Sequence, residues 1–202
     1  MKLLVTGFGA FPGVSINTSE QLVAAWMRDR PDWPFDDMKF EVLPTTYDIA
    51  GARVSELIRE YQPDHALLLG VATTQSTVRL ERFALNIDDS TVPDAAGTLR
   101  QGRIIAPDRP HAMTTPIDLD RLRAALMHAS VIAEISNHAG TYVCNHTYYS
   151  ALLAASQFQN RCDVLFVHVP GIHKSATNDE RAAATDAIRQ VVSALVRSLA
   201  TC

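Results

Sequence analysis

The sequence lacks the features that mark membrane, secreted and nucleic-acid-binding proteins. No apolar run approaches the roughly 18 residues that a membrane-spanning helix needs. The 18 basic residues are outnumbered by 22 acidic ones, and the net charge of -4 argues against a basic surface for nucleic acid. The apolar stretch at residues 1–5 ends at Thr6 and Gly7, which is too short for the core of a secretory leader. We therefore expect a cytoplasmic protein that binds neither membranes nor nucleic acid.

Cysteine is scarce as well. The three cysteines, Cys144, Cys162 and Cys202, form no Cys-x-x-Cys pair, so neither a disulfide framework nor a zinc site is expected. The glycines of residues 7–13 lack the spacing of a dinucleotide-binding turn, and no Lys-Ser/Thr of a phosphate loop follows them. These absences argue against a disulfide framework, a zinc site and a nucleotide-binding loop, and they leave at least one free thiol.

What the sequence does contain is an alternation of short apolar runs and amphipathic stretches. The apolar runs at residues 3–5, 65–71 and 164–169 are typical of buried strands. The amphipathic segments predict helices, the last of which spans residues 179–199. Hydrophobic residues make up 47% of the chain, which is enough for one core. We predict one α/β domain over residues 1–202, a mixed twisted β-sheet flanked by helices on both faces (phosphorylase/hydrolase-like).

Two neighbouring stretches carry weaker patterns. Residues 78–87 alternate loosely and predict a single strand. Residues 89–116 are rich in Pro, Gly, Asp and Arg without periodicity, and a structureless stretch of that length is usually functional or mobile. Ligand sites in open α/β sheets lie at the carboxyl ends of the strands. We expect Gly7 and Phe8, Gly70 and Val71, the turn at residues 139–144 and His168 to meet there.

Cys144 has the context of a nucleophile. It follows a turn that contains Gly140 and opens a helical stretch over residues 144–157. At a helix N-terminus the free N–H groups and the helix dipole favour a thiolate and can stabilise an oxyanion. The alternative is a small buried hydrophobic residue, which is the usual role of a free cysteine. Sequence spacing alone leaves both interpretations open.

Two histidines compete for the role of general base. His168 ends an apolar strand, where it is either a base or a core histidine with both ring nitrogens bonded. His146 is closer to Cys144 in sequence, but a residue two positions along a helix points to a different face. Glu81 orients the base only if it lies next to it. Otherwise it is a strand carboxylate paired with Arg79 or Arg82.

Four segments of the chain, in order, resemble the pyroglutamyl peptidase I family of cysteine peptidases. They are Val5-Thr6-Gly7-Phe8 with Phe11, Gly13, Asn17 and Ser19; residues 81–89 with Pro93, Asp94 and Gly97; residues 135–145; and residues 166–170. The resemblance runs from end to end, and the block that ends in Cys144 and Asn145 is its most specific part. It implies a mixed sheet between helices and a triad of Cys144 as nucleophile, His168 as base and Glu81 as orienter.

The resemblance also implies the substrate and the residues that bind it. Members of this family remove a pyroglutamyl (5-oxoprolyl) residue from the amino terminus of peptides without a cofactor, and they are commonly homodimers or homotetramers. The flat lactam ring is held between two aromatics, which match Phe8 and Phe11. Asn17 matches a residue whose amide complements the lactam, and Val71 stands at a substrate-facing position. The alternatives are core packing for the aromatics and a turn or helix cap for Asn17.

The chain departs from the family pattern in two places. After Gly70 the family usually has Gln or a similar residue and then Ala-Gly-Gly-Arg, whereas residues 71–75 of this chain are Val, Ala, Thr, Thr and Gln. Thr91 stands where the family commonly carries an arginine that assists the oxyanion. Two rival hypotheses follow from these changes. One is a divergent thiol amidase with altered N-acyl specificity, and the other is a non-catalytic binding protein on the same scaffold.

Overall fold

A computed structural model describes residues 1–158, 162–172 and 175–201; Cys202 lies outside the described residues. The elements in chain order are β1 (Lys2–Phe8), α1 (Thr18–Arg28), β2 (Asp37–Leu43), α2 (Tyr47–Tyr61), β3 (His65–Ala72), β4 (Val78–Glu81), β5 (Phe83–Leu85), β6 (Ala112–Thr114), α3 (Leu119–His128), β7 (Ala133–Ser136), α4 (Val143–Ala155), β8 (Asp163–Pro170) and α5 (Asn178–Leu199).

The described residues form a six-stranded central sheet in the order β2-β1-β3-β8-β4-β7. The four strands from β2 to β8 are parallel to one another. β4 runs antiparallel to β8 and parallel to β7, so the last two strands run against the other four. The sheet is therefore mixed, as the sequence predicted.

Helices cover both faces of this sheet. Leu3 and Val5 of β1 pack with α1, α3 and α5, whereas Leu4 between them packs with α2 and α4. Successive side chains of a strand point to opposite faces, and both faces of β1 are buried. This explains why the strands have continuous apolar runs instead of an alternating pattern. The predicted α/β class with helices on both faces is confirmed.

The predicted single strand over residues 78–87 is wrong, because the chain changes sheets within it. β4 ends at Glu81, and β5 pairs instead with β6 in a separate two-stranded sheet. The change occurs at Arg82, whose N–H donates to the Ser136 carbonyl at 2.8 Å and whose carbonyl accepts from the Thr115 N–H at 3.1 Å. A change of pairing partner leaves the two-residue period intact, so the sequence pattern does not reveal it.

Residues 86–111, which we call the strap, are more ordered than their composition predicts. Asp88 and Arg103 form an antiparallel bridge. The Asn86 side chain accepts from the Ala106 N–H and donates to the Ala106 carbonyl, both at 2.8 Å. Tyr149 of α4 donates its hydroxyl to the Pro110 carbonyl at 2.7 Å. Side chains thus satisfy the backbone that no regular ladder pairs.

Candidate active site

Glu81 and His168 meet across the antiparallel pair of β4 and β8. Glu81 is opposite Phe166 in the register, so its side chain reaches diagonally to His168 on the same face of the sheet. His168 Nδ1 lies 2.7 Å from Glu81 Oε1. A carboxylate only accepts, so Nδ1 carries the proton in this pair and Nε2 is left for a second partner.

Glu81 is not the exposed strand carboxylate of the alternative interpretation, since it is 1% exposed. Arg79 lies 3.5 Å from a carboxylate of β7, and Arg82 lies 4.0 Å from one of α3. The Tyr148 hydroxyl of α4 donates to the Glu81 carbonyl at 3.1 Å. That bond fixes the end of β4 against α4, the helix that carries the thiol.

Cys144 is the second residue of α4, and its thiol is free and half-buried. The turn before the helix passes through Gly140 at φ 79°, a left-handed conformation that suits glycine. Tyr142, the N-cap, makes no side-chain capping bond, and the first turn has no acidic residue. The N–H groups of this turn and the positive end of the helix dipole can therefore stabilise a negative charge on the sulfur or next to it.

Gly70 of β3 allows the thiol to approach the sheet. It pairs with His168 in the parallel register of β3 and β8. A Cβ atom at Gly70 would lie 3.0 Å from Cys144 Sγ and 2.7 Å from the Phe166 ring. Contacts that short force the neighbouring groups to move, so a side chain at this position would displace the sulfur or the ring. Segments far apart in the chain therefore converge at the carboxyl ends of β3 and β8, as expected.

The protonation of His168 depends on both of its neighbours. Burial alone lowers the pKa of an imidazole. The hydrogen bonds to Cys144 and Glu81, together with their negative charges, outweigh that effect and raise the pKa of His168 from 6.5 to about 9. The imidazolium is therefore favoured at neutral pH.

His146 faces away from this cluster. Its Nδ1 lies 2.9 Å from Asp88 Oδ2, and a Cβ atom on Gly51 of α2 would lie 2.5 Å from its Nε2. Neither ring nitrogen is directed at Cys144, as the helical spacing predicted. His168 is the histidine that lies beside the thiol.

The two aromatics predicted to hold a lactam differ in their surroundings. Phe8 is 1% exposed, and its ring packs 6.3 Å from that of Phe166. Phe11 is partly exposed, and its ring lies 6.0 Å from that of Tyr142, the N-cap of α4. Phe11 and Val71 line one cavity of about 650 Å³, whereas Phe8 lies outside its lining.

A larger cavity of about 1090 Å³ lies at the opposite end of the sheet, against Met1, Asp64 and Cys162. Those residues precede or begin strands, while ligand sites in such sheets lie at the carboxyl ends. The smaller cavity is next to the aromatic that contacts the helix of Cys144. We therefore take the smaller cavity as the substrate-binding candidate.

Asn17 is the N-cap of α1. Its Oδ1 accepts from the Ser19 N–H at 3.1 Å, and its Nδ2 donates to the Gly9 carbonyl at 3.0 Å. The residue is 1% exposed. Both ends of the amide thus hold the loop that carries Phe11, which matches the helix-cap interpretation.

The residues that depart from the family pattern lie around the cavity and on the strap. Val71 and Thr73 line the cavity with apolar and hydroxyl groups. Gln75 donates its side-chain amide to the Thr74 hydroxyl at 3.3 Å. Thr91 is exposed on the strap. The changes therefore fall outside the bonded pair of His168 and its carboxylate.

Sequence reasoning missed the role of Asn145, the residue after the thiol. It is fully buried, its Oδ1 accepts from the Leu85 N–H at 2.7 Å, and its Nδ2 donates to the carbonyls of Leu85 and Ile87 at 2.9 and 3.0 Å. The Asn145 side-chain amide bonds the backbone of β5 as a neighbouring strand would, and it thereby joins α4 to β5. The available signal was an asparagine in a helical stretch, a residue that disfavours helices unless its side chain bonds elsewhere.

Comparison with known proteins agrees with this architecture. The model of the family described as "Pyroglutamyl peptidase" matches residues 1–201. The pyrrolidone-carboxylate peptidase of Thermococcus onnurineus is 34% identical over 182 residues, 90% of this chain and 89% of that protein. The pyrrolidone-carboxylate peptidase 1 of Caldanaerobacter subterraneus is 33% identical over 170 residues, 84% of this chain and 82% of that protein.

Solved structures resemble the chain over nearly its whole length. Bacillus amyloliquefaciens pyroglutamyl peptidase I matches with a TM-score of 0.86 at 26% identity, over 100% of this chain and 97% of that one. A mutant pyrrolidone carboxyl peptidase from Pyrococcus furiosus matches with a TM-score of 0.87 at 27% identity, over 98% and 97%. The fold and these relatives define a cysteine-type peptidase of the α/β class. More particularly, the chain belongs to the pyroglutamyl peptidase family.

Proposed function

We propose that this protein removes an N-terminal pyroglutamyl residue from peptides, with Cys144 as nucleophile, His168 as base and Glu81 as orienter. Family membership and relatives named pyrrolidone-carboxylate peptidase support the substrate. The observation that carries the mechanism is the 2.7 Å bond between His168 and the buried Glu81, beside a thiol at a helix N-terminus. This is the nucleophile, base and orienter arrangement of acyl-transfer enzymes.

The reaction proceeds through a thioester. The Cys144 thiolate attacks the carbonyl carbon that joins pyroglutamate to the next residue. The His168 imidazolium then gives its proton to the leaving amine as the C–N bond breaks, and the shortened peptide departs. Water attacks the thioester while His168 takes its proton. The C–S bond breaks, 5-oxoproline is released, and the thiolate–imidazolium pair is restored.

The surroundings of the triad assign two supporting roles. Glu81 fixes the tautomer of His168 and stabilises the imidazolium that forms in each half-reaction. The uncapped N–H groups of the first turn of α4 receive the oxyanion of the tetrahedral intermediates. Every step uses these side chains, the backbone and water, without a metal or organic cofactor.

The lactam occupies the cavity of about 650 Å³ that Phe11 and Val71 line. Contact of Phe11 with Tyr142 makes this cavity the neighbour of the nucleophile's helix. Phe8 supports the site from the core, and Asn17 holds the loop that carries Phe11. Flat aromatic and aliphatic walls suit a planar, uncharged ring.

We further propose that the enzyme is a cytoplasmic homodimer or homotetramer. In the described part of the chain Cys144 and Cys162 are free thiols, which suits a reducing compartment. No helix within the described ranges has the length and apolarity to cross a membrane. Ile132 and Met127 are 77% and 67% exposed, large apolar side chains of the kind that subunit contacts cover. Light scattering after size-exclusion chromatography tests the assembly, and a monomer at working concentration contradicts it.

The test of activity is fluorophore release from a pyroglutamyl amide in reducing buffer, with a prolyl amide as control. We expect cleavage by the wild type, confined to the lactam substrate, and a loss of more than about 10³-fold in Cys144→Ser. Full activity of Cys144→Ser contradicts the triad. Wild-type cleavage of other N-blocked amides in place of the lactam favours the altered amidase. Ligand binding without turnover favours the binding protein.

A further inference from the structure

A buried charge network lies behind the helix of the nucleophile. Asp88 is fully buried, Arg100 is 5% exposed and His146 is 9% exposed. His146 Nδ1 lies 2.9 and 3.1 Å from the two carboxylate oxygens of Asp88, and Arg100 Nη1 donates to Asp88 Oδ2 at 2.8 Å. The other arm of Arg100 bonds the exposed carboxylate of Asp48 on α2. Buried ion pairs add little net stability because desolvation offsets their attraction, whereas removal of one partner is costly because it leaves the other charge buried and unpaired.

The network joins the strap to the first turn of α4. Asp88 and Arg100 belong to the strap, and His146 follows Cys144 by two residues. The strap also bonds the turn that precedes the thiol, since the Asp89 N–H donates to the Thr141 carbonyl at 2.9 Å. The strap therefore bonds residues both before and after Cys144 in the sequence, namely Thr141 and His146.

Aromatic contacts of Tyr47, the first residue of α2, link the network to the turn that carries the thiol. The Arg100 guanidinium lies 4.6 Å from the centre of the Tyr47 ring. That ring makes edge contacts with Tyr142 and His146, at centroid distances of 5.6 and 5.7 Å. Gly51 of α2 lies against His146 Nε2 so closely that a methyl group there would be 2.5 Å away. The imidazole thus lies between a carboxylate and a helix backbone, and it also borders a cavity of about 330 Å³.

We propose that His146 is a positioning residue for catalysis. Its Nδ1–H donates to Asp88, which Arg100 holds in place, and this bond fixes the rotation of the first turn of α4. The turn in turn sets the direction of Cys144 Sγ towards His168 and towards the oxyanion. The inference rests on the proposed function of Cys144 as nucleophile, and it adds a residue that touches neither the substrate nor the reacting atoms.

The test compares His146→Asn with His146→Leu. An asparagine amide can place an N–H where Nδ1–H lies, whereas leucine fills similar space without a donor. The readouts are kcat and KM for a pyroglutamyl amide, the alkylation rate at Cys144 by iodoacetamide followed by peptide mapping, and the midpoint of urea unfolding. We expect His146→Leu to lower kcat and the alkylation rate about 10–100-fold with KM changed less than about threefold, because small misplacements of reacting groups cost this much. His146→Asn should recover most of the loss.

A second pair of variants leaves His146 intact. Gly51→Ala places a methyl group against the imidazole, and Ala52→Ser adds one atom at the exposed neighbouring position. Gly51→Ala should lower kcat and the alkylation rate, and Ala52→Ser should change neither. The proposal is overturned if His146→Leu keeps wild-type kcat and alkylation, or if His146→Asn loses as much as His146→Leu. It is also overturned if Gly51→Ala reacts like the wild type. Alkylation needs no substrate, so it tests positioning even if the wild type fails to cleave the lactam, a result that would contradict only the proposed function.

Discussion

The first turn of α4 and the loop at residues 11–16 both border the site, but they are held very differently. Asn145 and His146 are buried and bonded to the strap and β5. The loop is mostly exposed, and one backbone bridge between Phe11 and Val14 closes it. A rigid turn can set a reaction geometry, while an open loop can change its substrate contacts at little structural cost. We therefore expect changes at the turn to alter kcat, and changes around the cavity to alter KM.

Among the changes expected to alter kcat, removal of the orienting carboxylate of Glu81 should have the largest effect. Glu81→Gln keeps the size of the side chain but loses the charge that stabilises the imidazolium. We expect kcat to fall about 10²–10⁴-fold with little change in KM, the range that general acid–base groups contribute. Steady-state kinetics measure this, with Glu134→Gln, an exposed carboxylate on β7, as the matched control. A loss of less than about threefold would show that Glu81 does not act through His168.

The pH profile tests the same pair in a different way. The pKa of His168 is raised to about 9, so the imidazolium persists at neutral pH and is lost as the pH rises through that value. We expect kcat/KM to fall on the alkaline side near pH 9. In Glu81→Gln one cause of the raised pKa is gone while burial still lowers it, so the alkaline limb should move to lower pH. An unchanged limb in this variant argues against the assignment.

Changes at the two aromatics should separate binding from packing. Phe11→Ala removes a cavity wall and should raise KM for the pyroglutamyl amide about 10–100-fold, with kcat nearly unchanged. Phe8→Leu alters a core residue and should instead lower the free energy of unfolding by about 1 kcal/mol with a small effect on KM. Kinetics and urea unfolding on both variants measure these outcomes. A larger rise in KM for Phe8→Leu than for Phe11→Ala would reverse the roles of the two rings.

The smallest expected effect concerns the position after Gly70. Val71→Gln adds an amide to the wall of the cavity that we propose for the lactam. One added hydrogen bond should lower KM about 2–10-fold. Val71→Leu, which changes shape but adds no donor, is the control. If both variants change KM equally, the cavity does not recognise the lactam through this position.

The sequence predicted what depends on local pattern. The continuous apolar runs of β1, β3 and β8 predicted the layered fold, and the turn before Cys144 predicted a helix N-terminus. The strap escaped prediction because its order comes from side chains that bond distant backbone, as Asn86 does at Ala106. The sequence does not decide between core packing and substrate contact for Phe8, because this residue ends β1 where the apolar run gives way to glycines. It does not decide between capping and lactam binding for Asn17 either, because a loop has no periodicity to tell which side faces the core.

The role of Cys144 as the nucleophile is best tested by inactivation with a pyroglutamyl chloromethyl ketone followed by peptide mapping. This reagent carries the lactam to the thiol and alkylates the nucleophile. We predict one modification per chain, at Cys144, with complete loss of activity and no comparable labelling by the prolyl analogue. Inactivation without modification of Cys144, or labelling at Cys162, would contradict this role.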